Sequence, residues 1–207
     1  MAGDPGYPRF DDPGSRQRFL KRALAAGGTL LVGGAVAVGV PRLAASAQSP
    51  EQDAAIFNFA LLLEQVQSAL YAEASESAQL DGELLEFARV AAAHEREHVA
   101  YLQEALGDDA SAAPATDFGD ATTDSEAFAT AAAGLEDLAV SAYNGQAANL
   151  TPAGLRAAAT VISVDARHAA WIRAIAGRPP ATQAVDSSLS RTEVEERLAQ
   201  TGFVQEG

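Results

Sequence analysis

The most informative part of the chain is residues 88–102, whose sequence is ARVAAAHEREHVAYL. Apolar residues recur there every three or four positions, which is typical of a helix with one buried face. Glu95 and His98 interrupt that face, and their spacing of three places them on the same side of the helix. A buried, ionised carboxylate is costly unless it is paired or binds a metal. The segment therefore predicts a helix that carries a polar site into a core.

The same pattern returns later in the chain, in residues 158–172, which read AATVISVDARHAAWI. Asp165 and His168 interrupt the apolar face of this second helix. Two more inward-facing glutamates are each followed seven residues later by a tyrosine: Glu64 by Tyr71, and Glu136 by Tyr143. The repeat predicts two hairpins related by a pseudo-twofold axis, with two nearly equivalent metal positions.

Capping residues, prolines and glycines mark four long helices. They are predicted from Pro50 to about Ala78, from Asp81 to before Gly107, from a capping box at 123–126 to about Asn149, and from Thr151 to before Gly177. A short fifth helix is predicted after Ser190. Short links within each pair require antiparallel hairpins, whereas residues 107–122 are long enough to cross the whole bundle. The predicted fold class is all-α, a four-helix bundle of two antiparallel hairpins with one long crossover.

The candidate ligands also share one height in this bundle. Measured from hairpin turns near residues 80 and 150, the four carboxylates lie 14–16 residues along their helices. Oxygen donors with two histidines suit iron or manganese better than copper or zinc. The alternative is a bundle whose buried acids and histidines only pair with one another. The predicted metal ligands are Glu64, Glu95, His98, Glu136, Asp165 and His168.

These residues resemble those of the ferritin-like superfamily of di-iron carboxylate proteins, particularly its rubrerythrin-like branch. They are also similar to those of exported bacterial ferritin-like domain proteins, some called desiccation-related. The resemblance covers about residues 50–177 and implies a site with two iron ions, or manganese in their place. It implies that Glu64 and Glu136 are terminal ligands, one for each ion. It also implies that Glu95 and Asp165 bridge the two ions, and that His98 and His168 each bind one ion through an imidazole nitrogen. Asp165 departs from the usual glutamate, and its shorter side chain is expected to weaken one site or lengthen the metal–metal distance.

Three further polar side chains lie near this set. Tyr71 and Tyr143 are predicted either as core aromatics bonded to a buried carboxylate or as partners of the ligands that relay a radical. His94 lies about 100° around the helix from Glu95. A surface or groove position is therefore preferred to ligation for His94.

The first 47 residues have the order of an export signal. Basic residues precede an uncharged run from Ala23 to Val40, and small residues follow at 45–47. The run 15–21, SRQRFLK, resembles the twin-arginine motif, with Gln17 in place of the second arginine. Because of this departure, the general secretory route is open as well as the twin-arginine route. We expect residues 1–47 to be removed by cleavage after Ala47. The alternative is an uncleaved membrane anchor, for which the uncharged run is barely long enough.

Charge and composition limit the partners. Residues 1–47 carry 6 Lys+Arg and 3 Asp+Glu, so the rest carries 14 − 6 = 8 and 28 − 3 = 25, a net charge of −17. So acidic a body repels nucleic acid and anionic membranes. The absence of cysteine excludes disulfides, thiolate metal sites and a lipoprotein anchor. Met1 is the sole methionine, which excludes haem ligation by methionine.

The predicted domains are the export signal at 1–47, the four-helix bundle at 48–180 and an extension with a short helix at 181–207. Three functions remain open for this protein. The first is an exported di-metal oxidase, ferroxidase or peroxidase that uses peroxide or dioxygen. The second is a non-catalytic iron-binding or storage protein. The third is a structural envelope stress protein with an inactive site. A homo-oligomer is compatible with each of them.

Overall fold

The computed structural model describes residues 48–205. Four long helices form an all-α bundle, and a short helix follows them. We name them α1 (Pro50–Glu76), α2 (Gly82–Leu106), α3 (Ser125–Gln146), α4 (Pro152–Ile175) and α5 (Arg191–Thr201). The fold class predicted from the sequence is confirmed.

Local hydrogen bonds explain where most of the helices begin. The hydroxyls of Ser49 and Thr151 accept backbone N–H groups of the first turns of α1 and α4, each with a proline at the first position. Ser190 and Glu193 form the capping box of α5. Two starts differ from the prediction: Asp124, rather than Thr123, caps α3, and Asp81 precedes α2 without a side-chain bond. Helix α3 ends at Gln146 because the chain tightens into a 3-10 turn at Ala147–Asn149.

The connection between α2 and α3 runs along α1 for much of its length. At its beginning, Asn58 of α1 bonds the backbone of Asp109 and Ser111 at 2.8 Å. At its end, the Thr122 hydroxyl donates to Glu73, near the end of α1, at 2.6 Å. The segment therefore starts beside the first half of α1 and finishes beside its last turn. The predicted long crossover is confirmed.

The helices pack as two hairpins, α1 with α2 and α3 with α4, joined through α1–α3 and α2–α4 contacts. Apolar side chains form two clusters, one toward each end of the bundle. The larger includes Phe87 and Phe128, and the smaller includes Leu61 and Leu102. On α2, Glu95 and His98 lie between Ala91 of the larger cluster and Leu102 of the smaller one. On α4, Asp165 and His168 likewise lie between Val161 and Ile172, so a polar layer separates the two apolar clusters.

The C-terminal segment packs on α3 and on the crossover. Leu189 N–H donates to the Ser141 carbonyl at 3.1 Å, and the side chains of Leu189, Val194 and Leu198 join the larger apolar cluster. Farther on, Val204 forms an isolated antiparallel bridge with Thr116. This pairing was not predicted, because no sequence pattern links residues so far apart.

A substitution at Gly145 is expected to displace this C-terminal segment. Gly145 lies on α3 against the backbone of Leu189, and an added methyl group would overlap the Leu189 carbonyl oxygen. We expect Gly145→Ala to lower the free energy of unfolding by about 1–3 kcal/mol, because the overlapping atom belongs to backbone. The matched control is Gly134→Ala on the same helix, where nothing lies within 4 Å. That change is expected to add about 0.5–1 kcal/mol through helix propensity. Urea denaturation of both variants is the measurement, and an unchanged Gly145→Ala would contradict the packing.

No helix among residues 48–205 is sufficiently long and apolar to cross a membrane. The predicted export signal and the cleavage after Ala47 lie outside the described residues.

Candidate metal centre

The structure brings the six predicted ligands together in the middle of the bundle. Each of the four long helices contributes: α1 and α3 one glutamate each, and α2 and α4 an acid–histidine pair each. The four carboxylates are fully buried, and the histidines are at most 8% exposed. Such burial places ionisable groups where they need partners.

The donor atoms form two overlapping groups, in each of which all atoms lie within 4.8 Å of one another. One consists of Glu64, Glu95, His98 and Asp165, and the other of Glu95, Glu136, Asp165 and His168. Glu95 and Asp165 belong to both groups. The two carboxylates on the acid–histidine helices are therefore shared, and each remaining glutamate and histidine belongs to one group.

Both histidines direct Nδ1 toward the carboxylates. His98 Nδ1 lies 3.0 Å from Glu95 Oε2, 3.2 Å from Glu64 Oε2 and 3.5 Å from Asp165 Oδ1. His168 Nδ1 lies 3.1 Å from Glu95 Oε1 and 3.3 Å from Glu136 Oε1. The i, i+3 spacing on α2 and on α4 thus places one imidazole in each group.

The two tyrosines cross between the hairpins. Tyr71 of α1 donates to Glu136 Oε1 of α3 at 2.7 Å, and Tyr143 of α3 donates to Glu64 Oε1 of α1 at 3.0 Å. Each is therefore a buried aromatic bonded to a carboxylate, the first of the two interpretations drawn from the sequence. In each case the bonded carboxylate belongs to a helix of the other hairpin, so each tyrosine fixes a glutamate of the hairpin opposite its own.

A family model described as the ferritin-like domain matches residues 52–178. That range exceeds half of the chain and contains all four long helices almost completely. The chain belongs to the ferritin-like domain family. A comparison with curated protein sequences returned no match.

In this ferritin-like domain, the metal-free cluster is held by ion pairs. Burial opposes the protonation of His98, but hydrogen bonds to Glu64 and Glu95 outweigh it and raise the pKa to about 10. Burial also opposes the protonation of His168, but contacts with Glu136 and Glu95 raise its pKa to about 9. Burial opposes the ionisation of Glu95 too, and the two histidines nevertheless lower its pKa to about 2. Glu95 is thus the anion that both imidazolium rings share.

The other three carboxylates resist ionisation without a cation. Burial raises the pKa of Glu64 and of Asp165 well above the ordinary range, and the charge of neighbouring carboxylates adds to it. Burial also raises the pKa of Glu136 to about 7, although His168 opposes the change. The cluster therefore carries protons that must leave when a metal ion binds.

Unpaired atoms show that the ferritin-like cluster is not satisfied by its own residues. Within residues 48–205, eight buried side-chain atoms lack a hydrogen-bond partner, and five of them belong to the six predicted ligands. Of these five, Glu95 Oε1 and His168 Nδ1 lie 3.1 Å apart as an ion pair, and Asp165 Oδ1 lies 3.5 Å from His98 Nδ1. Glu136 Oε2 and Asp165 Oδ2 are left without a hydrogen bond or a close ion pair. Such atoms cost about 1–3 kcal/mol each when nothing binds them. Oxygen and nitrogen donors left unpaired in one place fit a site for two hard or borderline cations.

Two side chains near the ferritin-like cluster fall outside the predicted set. His94, assigned to the surface or a groove, is exposed, and its Nδ1 lies 2.9 Å from His168 Nε2. It thus contacts the outer nitrogen of a predicted ligand. Gln67 is buried at 1% exposure on the inward face of α1. The signal for Gln67 was its position three residues after Glu64, the same spacing that separates Glu95 from His98.

Proposed function

We propose that the protein binds two metal ions in this cluster, and that they are iron, with manganese as the alternative. The observation that supports it most strongly is the concentration of unpaired, buried donor atoms on the predicted ligands. Asp165 is the clearest case, because it is fully buried, its Oδ2 has no partner, and His98 Nδ1 approaches its Oδ1 only to 3.5 Å. Pairing of acids with histidines accounts for Glu95 and His168, but it leaves Glu136 Oε2 and Asp165 Oδ2 unpaired.

The proposed roles follow from the two overlapping groups of donor atoms. Glu64 and His98 hold one ion, and Glu136 and His168 hold the other. Glu95 and Asp165 are shared by both ions. Tyr71 and Tyr143 orient the terminal glutamates through their hydroxyls. Such outer partners fix ligand orientation in metal sites.

The function that we propose for the site is oxidation of ferrous iron coupled to the reduction of hydrogen peroxide or dioxygen. Two bound ferrous ions would supply two electrons and become ferric. With two protons, these electrons would reduce one hydrogen peroxide to two water molecules, or one dioxygen to hydrogen peroxide. The apolar clusters on either side of the polar layer keep bulk water from the reacting groups. Tyr71 and Tyr143 lie within hydrogen-bond distance of ligands and are placed to donate an electron to a stray oxidant. Non-catalytic iron binding or storage is the second candidate function.

We further propose that the protein is exported and related to the rubrerythrin-like and desiccation-related ferritin-like proteins. The basis for export is the signal-like order of residues 1–47, and the basis for the relationship is the repeated ligand pattern. The net charge of −14 favours neither nucleic acid nor an anionic membrane as a partner. Assembly into a homo-oligomer is compatible with this proposal.

Anaerobic titration with ferrous iron, followed by addition of peroxide, tests the function. We expect two ions per chain, and a ferric absorbance that forms faster than in a Glu95→Ala, Asp165→Ala double variant. Two bound ions with no faster oxidation would support iron binding or storage instead. No binding at all would support the structural role with an inactive site.

A further inference from the structure

Gln67 is a buried amide with nothing to bind. It is 1% exposed, and neither Nε2 nor Oε1 has a hydrogen-bond partner. Within residues 48–205, Gln67 is the one buried amide with both polar atoms unpaired. The other such atoms near the cluster belong to predicted metal ligands, whose binding role explains them. Gln67 is not in the ligand set, so its two unpaired atoms need a different explanation.

The position of Gln67 on α1 places it on the helix face that carries the site residues. It lies three residues after Glu64 and four before Tyr71, spacings that put all three side chains on one face. Glu64 is a member of the donor groups, and the Tyr71 hydroxyl reaches Glu136 in the same cluster. Side chains on a helix lean toward its N-terminus, so Gln67 leans from its own turn toward the level of Glu64.

The neighbouring Gln65 shows that burial on α1 does not by itself leave both amide atoms unpaired. Gln65 is also buried, at 7% exposure, but it faces the crossover. Its Nε2 donates to the Ser111 carbonyl at 3.1 Å, and only its Oε1 lacks a partner. Among the described residues, a buried amide with both polar atoms unpaired is found at the inward position alone.

The internal repeat shows that this amide occurs on one side only. The position that corresponds to Gln67 in α3, three residues after Glu136, is Ala139, which is fully buried. Ala139 offers no polar side-chain atom. The two halves of the site thus have matching ligands but differ at this one inward position.

We propose that the Gln67 carboxamide binds a small anion that enters the bundle beside the metal ions. The inference rests on the proposed metal binding. Nε2 offers two N–H donors, which an anion can accept. Because Ala139 has no equivalent group, such a ligand is held on the Gln67 side of the cluster.

The test uses Gln67→Met in the full chain, with Co²⁺ as the metal probe and azide as the anion probe. Methionine matches the shape of glutamine without its polar atoms. We expect the metal-free variant to melt about 2–8 °C higher than the wild type, because a buried unpaired amide is removed. We expect two Co²⁺ ions to bind as before, and azide to bind about 10- to 100-fold more weakly, because a hydrogen bond to a charged ligand is lost. Calorimetry gives the melting temperature, and the visible Co²⁺ absorbance reports azide.

Gln65→Met is the matched control, because it removes a buried amide from the same helix on the crossover side. It is expected to lower the melting temperature by losing the bond to Ser111, and to leave azide affinity unchanged. Unchanged azide affinity in Gln67→Met, or a lower melting temperature, would overturn the role of Gln67. A loss of Co²⁺ affinity equal to the loss of azide affinity would overturn it in favour of direct ligation. Failure of the wild type to bind Co²⁺ would instead overturn the proposed metal site.

Discussion

Replacing Glu95 with alanine is expected to weaken the binding of both metal ions, whereas replacing Glu64 weakens only one. Glu95 belongs to both groups of donor atoms, and Glu64 belongs to one. If each ligand contributes roughly 3–4 kcal/mol, as a quarter of a four-ligand site does, the loss of affinity is about 10²- to 10³-fold. In Glu95→Ala this loss applies to both ions, and isothermal titration with Fe²⁺ should show no tight binding step. In Glu64→Ala one tight step remains.

Glu97→Ala is the matched control for Glu95→Ala. Glu97 lies on the same helix two residues later and is exposed. Its loss removes the same charge without touching the cluster, and we expect two unchanged binding steps. A single tight step in Glu95→Ala would contradict the sharing of this carboxylate. Equal weakening by Glu97→Ala would show that the acidic surface, rather than the cluster, governs affinity.

Asp165→Asn is expected to stabilise the metal-free protein while it weakens metal binding. Asp165 is fully buried and its Oδ2 has no partner, so holding this carboxyl group in the metal-free protein costs about 1–3 kcal/mol. Asparagine keeps the shape of the side chain and removes the charge. Metal affinity is expected to fall by about 10²-fold or more for both ions, because a shared carboxylate becomes a neutral amide. Urea denaturation of the metal-free protein and a Fe²⁺ titration measure the two opposite effects.

The gain in stability should depend on pH, and its sign follows from linkage. Burial raises the pKa of Asp165 above its ordinary value of 3.8. The folded protein therefore keeps a proton that the unfolded chain releases, and stability is lost as the pH rises above about 4. Asparagine does not titrate, so the advantage of Asp165→Asn should be small near pH 4 and should grow toward neutral pH.

An exposed aspartate provides the control for this pH dependence. Asp120→Asn removes a charge from the surface of the crossover. We expect its stability to follow that of the wild type at every pH. An Asp165→Asn variant that is less stable than the wild type at neutral pH would mean that the ionised carboxylate has partners in the metal-free protein.

The elements that the sequence predicted well are those set by local geometry. Ser49, Thr151 and Ser190 are followed by helices because a hydroxyl binds the first free N–H groups of the chain beside it. The common height of the carboxylates could be predicted as well, since each residue of a helix advances the chain by about 1.5 Å. The boundaries of α3 were less accurate, because Thr123 and Asp124 both can cap and only tertiary packing selects one.

The features that could not be predicted depend on which helices become neighbours. The sequence left open which buried carboxylate Tyr71 bonds, and its partner is Glu136 of the other hairpin. Nothing in the sequence of α1 specifies that α3 packs beside it at that register. The unpaired state of Gln67 was equally hidden, since a glutamine in a helix is ordinarily exposed.

The crossed tyrosine–glutamate bonds make the domain equivalent to an isologous dimer fused into one polypeptide. Neither hairpin is self-sufficient, because the partner of each tyrosine hydroxyl lies in the opposite hairpin. In a true isologous dimer, residue i contacts residue j of the other copy, and j contacts i. A fragment that contains only α1 and α2 carries one member of every kind of ligand, together with Tyr71. Two such fragments would therefore supply a complete set, with Tyr71 of each copy facing Glu64 of the other.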